Sequence, residues 1–257
     1  MTSTGPPTPL SFTARCPEDL LAMVPVTLGF VPHDSVAMLT FGAAHPFHAR
    51  VDLPTRPEHL DDLVDTLLAP ARAHGVRRVV LVVYSDDVPA VTRAWASLEL
   101  GCRAAGIEVL EALRADGRRW WSLRHPDPRS GDGVPYDLFA HAFLAESVLH
   151  GRVTLGSREE LAATLEPVPD RVADVVTALR CFPAPSTRES PPVATILQEG
   201  SWIEAMVVRH VSDRSSPTDE EVARLLHALP VQGLRDAAWS VITREGAVQH
   251  AGFWTDV

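Results

Sequence analysis

The run Arg78–Tyr84 constrains the fold more than any other stretch of the chain. Its five central residues are apolar, and four of them are valines. A continuous run of β-branched side chains is typical of a strand that is buried on both faces of its sheet. Such a strand requires helices on either side, so the run predicts a layered α/β domain with this strand near its centre.

Helical and alternating patterns precede this run. They predict a short strand over Leu10–Arg15, a helix over Pro17–Leu28, an antiparallel hairpin of Val36–Phe41 with Phe47–Leu53, and an amphipathic helix over Pro57–His74. Pro25 should kink or shorten the first helix, because proline cannot donate the helical hydrogen bond. Gly29 should end it.

The elements after the run indicate how the sheet continues. A helix over Pro89–Ala105 followed by a strand over Ile107–Leu113 predicts a βαβ unit with parallel strands. The turn Ala115-Asp116-Gly117 then leads into a partner strand over Arg118–Leu123. The predicted fold class is therefore α/β: a mixed sheet covered by helices in three layers, with Rossmann-like elements and an α-helical C-terminal part.

From residue 135 onward the apolar residues recur at helical spacing. The pattern predicts helices over Pro135–His150, from Ser157 to about Leu165, and over Val168–Leu179, Trp202–Val211, Glu220–Leu229 and Val231–Arg244. Three of the starts carry capping-box patterns: Ser157 with Glu160, Ser201 with Glu204, and Thr218 with Glu221. Residues 182–199 are rich in Pro and Ser and predict a loop. We therefore expect an α/β domain over residues 10–155 and a helical region over residues 156–257.

Composition excludes several function classes. The chain has 257 residues and a net charge of −10, which argues against a nucleic-acid partner. It contains no lysine, so neither a Schiff base nor a phosphate-binding loop with its lysine is available. Three scattered cysteines, the lack of a signal-peptide pattern in the first nine residues, and the lack of a long apolar run predict a cytoplasmic protein outside the membrane.

Several stretches together resemble a known family. They are Asp19–Pro25 leading into Leu28–Ser35, then Arg50–Pro54, Gly117–Ser122 and Gly156–Leu161. The sequence resembles the actinobacterial domain-of-unknown-function family 4192, over residues 10–165 and more loosely beyond. The resemblance implies a fold and a lineage but no reaction. Many members carry a cysteine-rich loop after the tryptophans; here residues 124–133 keep Asp127-Pro128 and contain no cysteine, which makes this chain a divergent member without a thiolate site there.

The segment Arg119–Ser122 is the first candidate for a binding surface. Side chains alternate along a strand, so one of Trp120 and Trp121 should face inward and the other outward. The outer ring could stack on a planar ligand, with Arg119 holding an anion, or it could simply cover the edge of the sheet. In the loop that follows, His125, Asp127 and Asp132 could bind a hard metal ion or only form a turn; we expect no metal.

Polar residues at strand ends are the second group of candidates. Asp34 and Ser35 precede a strand, where they either form a turn or face the tryptophan segment. Arg50 and Asp52 share a strand face with His48, which suits an ion pair or a site that orients a substrate and passes a proton. Asp86 follows the central strand, where ligands of open α/β sheets bind; the alternative is that Asp86 or Asp87 caps the next helix.

Two functional classes follow from these candidates. The first is a non-catalytic binding or interaction module that uses the Trp/Arg strand and its loop, with an unknown protein or a small anionic ligand as partner and no cofactor. The second is a small-molecule enzyme, possibly a hydrolase acting on an anionic or nucleotide-like substrate. The enzyme would require a shared pocket formed by Asp34, Arg50, Asp52, Asp86 and Arg119.

Overall fold

A computed structural model describes residues 12–42, 47–125, 131–183, 191–245 and 253–254. The chain forms two compact units, one over residues 9–161 and one over residues 162–257. Within the described residues, no helix is long and apolar enough to cross a membrane.

The first unit is built on a six-stranded mixed sheet. Its strands are β1 Ser35–Phe41, β2 His48–Asp52, β3 Arg78–Tyr84, β4 Glu108–Ala115, β5 Arg119–Ser122 and β6 Val134–Pro135, in the order β2-β1-β3-β4-β5-β6. β3 and β4 are parallel, and every other neighbouring pair is antiparallel. The β3 strand has the predicted bounds, and all of its residues after Arg78 are buried.

Helices cover both faces of this sheet, which confirms the predicted three-layer α/β class. On one face pack α2 Leu60–Ala73, preceded by a 3-10 turn, and α3 Val88–Ala104; the other face carries α1 Pro17–Leu28. The α1 helix ends at Gly29, which adopts φ 80°. Pro25 lies inside α1 and does not shorten it.

Two predictions in the first unit are wrong. Residues 12–15 form no strand, and the helix expected from Pro135 begins only at Ala142 (α4 Ala142–Leu149). The backbone N–H of Tyr136 instead donates to the carbonyl of Arg118, which extends the β5–β6 pairing. The Asp137 carboxylate then accepts the N–H groups of Phe139 and Ala140, a local turn that competes with helix.

Helices make up the regular structure of the rest of the described chain. They are α5 Arg158–Ala163, α6 Pro169–Leu179, α7 Val193–Asp213, α8 Asp219–Ala228 and α9 Gln232–Glu245. The predicted loop over residues 182–199 is too long, because α7 already begins at Val193. Ser201 lies inside α7 and donates its hydroxyl to the carbonyl of Leu197, so it is not a cap. Thr218 and Glu221 form the capping box predicted for α8.

Candidate functional site

The carboxyl ends of β3 and β4 meet at a small cleft of about 70 Å³. Its walls are the turn before β1 and the segments that follow β3 and β4, and its lining consists of Pro32, His33, Asp34, Tyr84, Ser85, Asp86, Ala115, Asp116 and Gly117. Three of these residues are aspartates, and none is an arginine. The cleft therefore lies where ligands of open α/β sheets bind, and its lining is acidic.

Hydrogen bonds hold Asp34 against the end of β3. The Ser85 hydroxyl donates to Asp34 Oδ1 at 2.8 Å and accepts the backbone N–H of Asp87 at 3.2 Å. The Arg114 Nε donates to the carbonyl of Ser85 at 3.1 Å. Asp34 itself adopts φ 37°, a left-handed conformation that is uncommon for a residue other than glycine. This network fixes one carboxylate of the cleft across β1 and β3.

The two acidic residues after β3 have different roles. Asp87 caps α3, since its side chain accepts the N–H of Ala90 at 2.9 Å. Asp86 lines the cleft and is exposed, and within the described chain it has no hydrogen-bond or ion-pair partner. The capping alternative thus applies to Asp87, which leaves the Asp86 carboxylate available to a ligand.

Buried polar atoms without partners gather at this corner of the sheet. Ser35 is the cross-strand neighbour of both Asp52 and Tyr84. The hydroxyls of Ser35 and Tyr84, together with Arg50 Nε, are buried without a hydrogen-bond partner in the described residues. Burial, reinforced by the nearby Tyr136, raises the pKa of Tyr84 well above its ordinary value. The Tyr84 hydroxyl therefore stays protonated at neutral pH.

Arg50 and Asp52 form an ion pair beside the cleft. Arg50 Nη1 lies 2.6 Å from Asp52, and its Nη2 donates to the carbonyl of His33 at 3.3 Å. The guanidinium also lies over the ring of Phe30. His48 does not take part, because its Nδ1 accepts the backbone N–H of Thr40, and burial lowers its pKa. These contacts correspond to the ion-pair alternative for this strand.

The two tryptophans of β5 lie on opposite faces of the sheet, as the alternation predicts. Trp120 packs on the α1 face, and its indole N–H donates to Glu18 at 3.0 Å. Trp121 pairs with Arg114 on β4, whose guanidinium lies 4.2 Å from the indole centroid. A Cβ atom at Gly133 would overlap the indole ring of Trp121. Arg114 and Gly133 thus already pack against the indole of Trp121, which favours the alternative that this ring covers the edge of the sheet.

The remaining residues of this segment make local contacts. Arg119 Nη1 donates to the carbonyls of Asp132 and Gly133, each at 3.0 Å. The backbone N–H of Arg119 donates to the Asp116 carboxylate. His125 is exposed, and Asp127 lies outside the described residues. Among the residues that the structure describes, no three His, Cys, Asp or Glu side chains are placed to hold a metal ion.

A comparison with family models identifies the protein family. The model described as Domain of unknown function (DUF4192) matches residues 17–257. This chain belongs to the DUF4192 family. Searches of curated proteins and of solved structures gave no match. The family description names no reaction, so the cleft is the feature of this DUF4192 protein that bears on its function.

The cleft of this DUF4192 protein contains only part of the predicted set. Asp34 and Asp86 line it, and Ser35 lies beside it on β1. Arg50 contacts the lining residue His33 and pairs with Asp52. The backbone N–H of Arg119 contacts the lining residue Asp116. The lining does not include Trp120, Trp121 or His125. Sequence reasoning placed Tyr84 and Ser85 at the end of the central strand without naming them as binding residues, and it missed Asp116. Their position directly at the ends of β3 and β4 was the available signal.

A second polar cluster ties the start of α1 to the start of α4. His141 Nδ1 accepts the backbone N–H of Phe143, so its Nε2 carries the proton and donates to Asp19 Oδ1 at 3.1 Å. Burial opposes ionisation of Asp19, but the N–H of Arg15 and contacts from Cys16 and His141 outweigh it and lower the pKa of that carboxyl. The contacts of this cluster join two helices.

Proposed function

We propose that this DUF4192 protein is a binding module whose ligand enters the cleft at the carboxyl ends of β3 and β4, next to the start of the Trp/Arg strand β5. The observation that carries the proposal is the Tyr84 hydroxyl, which lies in a cleft-lining residue and is buried without a partner. An unsatisfied buried hydroxyl costs about 1–3 kcal/mol. A bound polar group that reaches Tyr84 would remove this cost, and the neighbouring carboxylates would select that group by charge.

The contribution of β5 to this site is the support of Asp116. The carboxylate of Asp116 accepts the backbone N–H groups of Arg118 and Arg119, at 2.8 and 2.6 Å. The Arg119 side chain in turn holds the carbonyls of residues 132 and 133. In this proposal the Trp/Arg strand positions one wall of the cleft, and its rings are structural.

The alternative function is a small-molecule hydrolase. The observation that favours it is the hydrogen bond from Ser85 to Asp34, which resembles a hydroxyl nucleophile beside a carboxylate base. Two observations favour binding instead. Ser85 is only 7% exposed, and its oxygen already accepts the Asp87 N–H at the start of α3. The bond from Ser85 to Asp34 thus serves to join the segment before β1 to the segment after β3.

The binding proposal is tested by amide-resolved NMR on the full chain with three probes of different charge: methylguanidinium, AMP and glucose. We expect at least one probe to shift the amides of residues 33–34, 84–87 and 115–117 in a saturable manner. Asp61→Asn serves as the control, because Asp61 is an exposed carboxylate on α2, away from the cleft lining. If all three probes leave these amides unchanged, the cleft is not a ligand site and the proposal is wrong.

The hydrolase alternative has its own test. Release of nitrophenol from nitrophenyl acetate and from nitrophenyl phosphate is measured for the wild type and for Ser85→Ala. Under the binding proposal both proteins give the buffer rate. Turnover by the wild type that disappears in Ser85→Ala would establish the enzyme in place of the binding module.

A further inference from the structure

We infer that the cleft binds a polyatomic cation, an ammonium or guanidinium group. This inference rests on the proposed function and names the chemical class of its ligand. The sequence analysis named an unknown protein or a small anionic ligand as partner, with Arg119 to hold the anion. The position of the charged groups in the structure favours the opposite sign.

The charge of the residues that line the cleft is the first observation in favour of a cation. Asp34, Asp86 and Asp116 all line the cleft, and its lining contains no arginine. Two guanidinium groups beside the cleft bind carbonyl oxygens of its lining residues: Arg114 binds Ser85, and Arg50 binds His33. The whole chain carries a net charge of −10, which adds to the negative potential. An anion would therefore meet repulsion without a counter-charge, whereas a cation would meet three carboxylates.

The arrangement of the carboxylates distinguishes an organic cation from a metal ion. The three aspartates come from three different segments, before β1, after β3 and after β4. Within the described residues they do not form a group of three that could hold one metal ion. An ammonium has three N–H donors and a guanidinium has up to five, directed outward from an extended group. Such a cation can reach acceptors that are too far apart to share a metal ion.

Two lining residues offer acceptors that suit these donors. Asp86 is exposed at the surface and has no partner within the described chain. Tyr84 also lines the cleft, and its buried hydroxyl has no hydrogen-bond partner among the described residues and can accept an N–H. Charge-assisted hydrogen bonds of this kind are about twice as strong as neutral ones. A cation that reaches from Asp86 toward Tyr84 would satisfy both groups at once.

The size of the cleft limits what enters it. A volume of about 70 Å³ is well below that of a site for a complete nucleotide or drug-sized ligand. We therefore assign to the cleft the cationic head group alone, with the rest of the ligand outside. Such a head group could belong to a small amine or to an arginine or lysine side chain of another protein. The two sources share one recognition chemistry.

The test compares methylguanidinium with N-methylurea, a neutral molecule of nearly the same shape, on the full chain. We expect methylguanidinium to shift the amides of residues 33–34, 84–87 and 115–117, and N-methylurea to leave them unchanged. Asp86→Asn, which keeps the shape and removes one charge, should weaken the binding of methylguanidinium about fivefold. Asp61→Asn, an exposed carboxylate outside the lining, should bind like the wild type.

The outcomes separate this inference from the proposed function. If AMP shifts the cleft amides while methylguanidinium does not, the cation inference is overturned and the binding module stands. Equal binding of methylguanidinium and N-methylurea, or unchanged binding by Asp86→Asn, also overturns the inference. If no probe shifts the cleft, both proposals fail. Tighter binding of agmatine than of a Gly-Arg-Gly peptide supports a small amine as the source, and the reverse order supports a protein side chain.

Discussion

A single glycine decides how closely the loop before β6 approaches the tryptophan strand. Gly133 has φ 75°, and a Cβ at this position would overlap the indole of Trp121. The Trp121 indole N–H also donates to the carbonyl of Gly131 at 3.3 Å. The two glycines and Trp121 thus form one packed unit at the edge of the sheet. A side chain at residue 133 would separate the loop from the ring.

Gly133→Ala should therefore destabilise the protein. The left-handed backbone costs about 1–2 kcal/mol for a residue with a Cβ, and the overlap with Trp121 adds about 1–3 kcal/mol. Gly117→Ala is the matched control, because Gly117 has φ 88° but open space around its Cβ position, so that only the backbone cost applies. The free energy of unfolding of both variants is measured by denaturant titration. Equal losses in the two variants would contradict the packing role of Gly133.

At the scale of elements, the start of α1 depends on a contact that is distant in sequence. The Asp19 carboxylate accepts the backbone N–H groups of Arg15 and Cys16 and the Nε2–H of His141, which caps α4. His141 is 122 residues away from Asp19. One carboxylate therefore fixes the start of α1 and anchors the cap of a second helix.

Asp19→Ala should lower the free energy of unfolding by about 1–2 kcal/mol at neutral pH. The pKa of Asp19 is lowered in the folded protein, so its contribution is fully present above the unfolded pKa of about 4 and is lost as the pH falls through the folded pKa. The difference between wild type and variant should hence shrink in acid. Stability is measured by denaturant titration across this pH range.

A second Asp–His pair provides the control for Asp19. Asp62 pairs with His59 at 3.2 Å near the start of α2, but both side chains are more than half exposed. Exposed pairs contribute little because water and salt screen them. Asp62→Ala should change the free energy of unfolding by less than about 0.5 kcal/mol. If Asp62→Ala lowered the free energy of unfolding as much as Asp19→Ala, the additional contacts of Asp19 would not explain its contribution to stability.

The elements that could be predicted from the sequence are those whose signals are local. The bounds of β3 follow from a run of consecutive apolar residues, and the bounds of α1 from Pro17 at its start and Gly29 at its end. The start of α4 could not be predicted, because the cap His141 acts together with the distant Asp19. The pattern at Ser201 was misleading, since a serine can also donate back to a carbonyl inside a helix.

The candidate site was predictable only as a location. Asp34 and Asp86 were identified because they flank strands, and both line the cleft. The importance of Tyr84 depends on pairings across the sheet, with Ser35 on one side and Ala115 on the other. Asp116 reads as an ordinary turn residue until β4 is known to lie beside β3. The acidic character of the site thus follows from strand order, which single stretches of sequence do not encode.

For the molecule as a whole, the structure predicts that the α/β unit folds without the helical one. Among the described residues, those of the hydrophobic cores on the sheet and between α1 and α4 lie within residues 12–144. A fragment of residues 9–161 should therefore unfold cooperatively and bind methylguanidinium within about twofold of the full chain. Circular dichroism and amide NMR provide the measurement. A fragment without fixed tertiary structure would show that this unit needs the remainder of the chain.

The charge of the whole molecule also predicts how ligand binding responds to salt. A net charge of −10 attracts a cation over a distance, but at about 0.1 M salt that attraction is screened beyond about 10 Å. The three carboxylates of the cleft act at closer range and are screened less. The affinity for methylguanidinium should accordingly fall about threefold between roughly 0.02 M and 0.2 M sodium chloride, and not disappear.

The Asp86→Asn variant separates these two contributions. Asp86 is an exposed carboxylate of the cleft, so salt screens its interaction with a bound cation. Removing its charge should weaken binding most at low salt and should flatten the salt dependence relative to the wild type. Dissociation constants from NMR titrations of both proteins at the two salt concentrations test this. Parallel salt curves for the wild type and Asp86→Asn would mean that Asp86 does not face the bound cation.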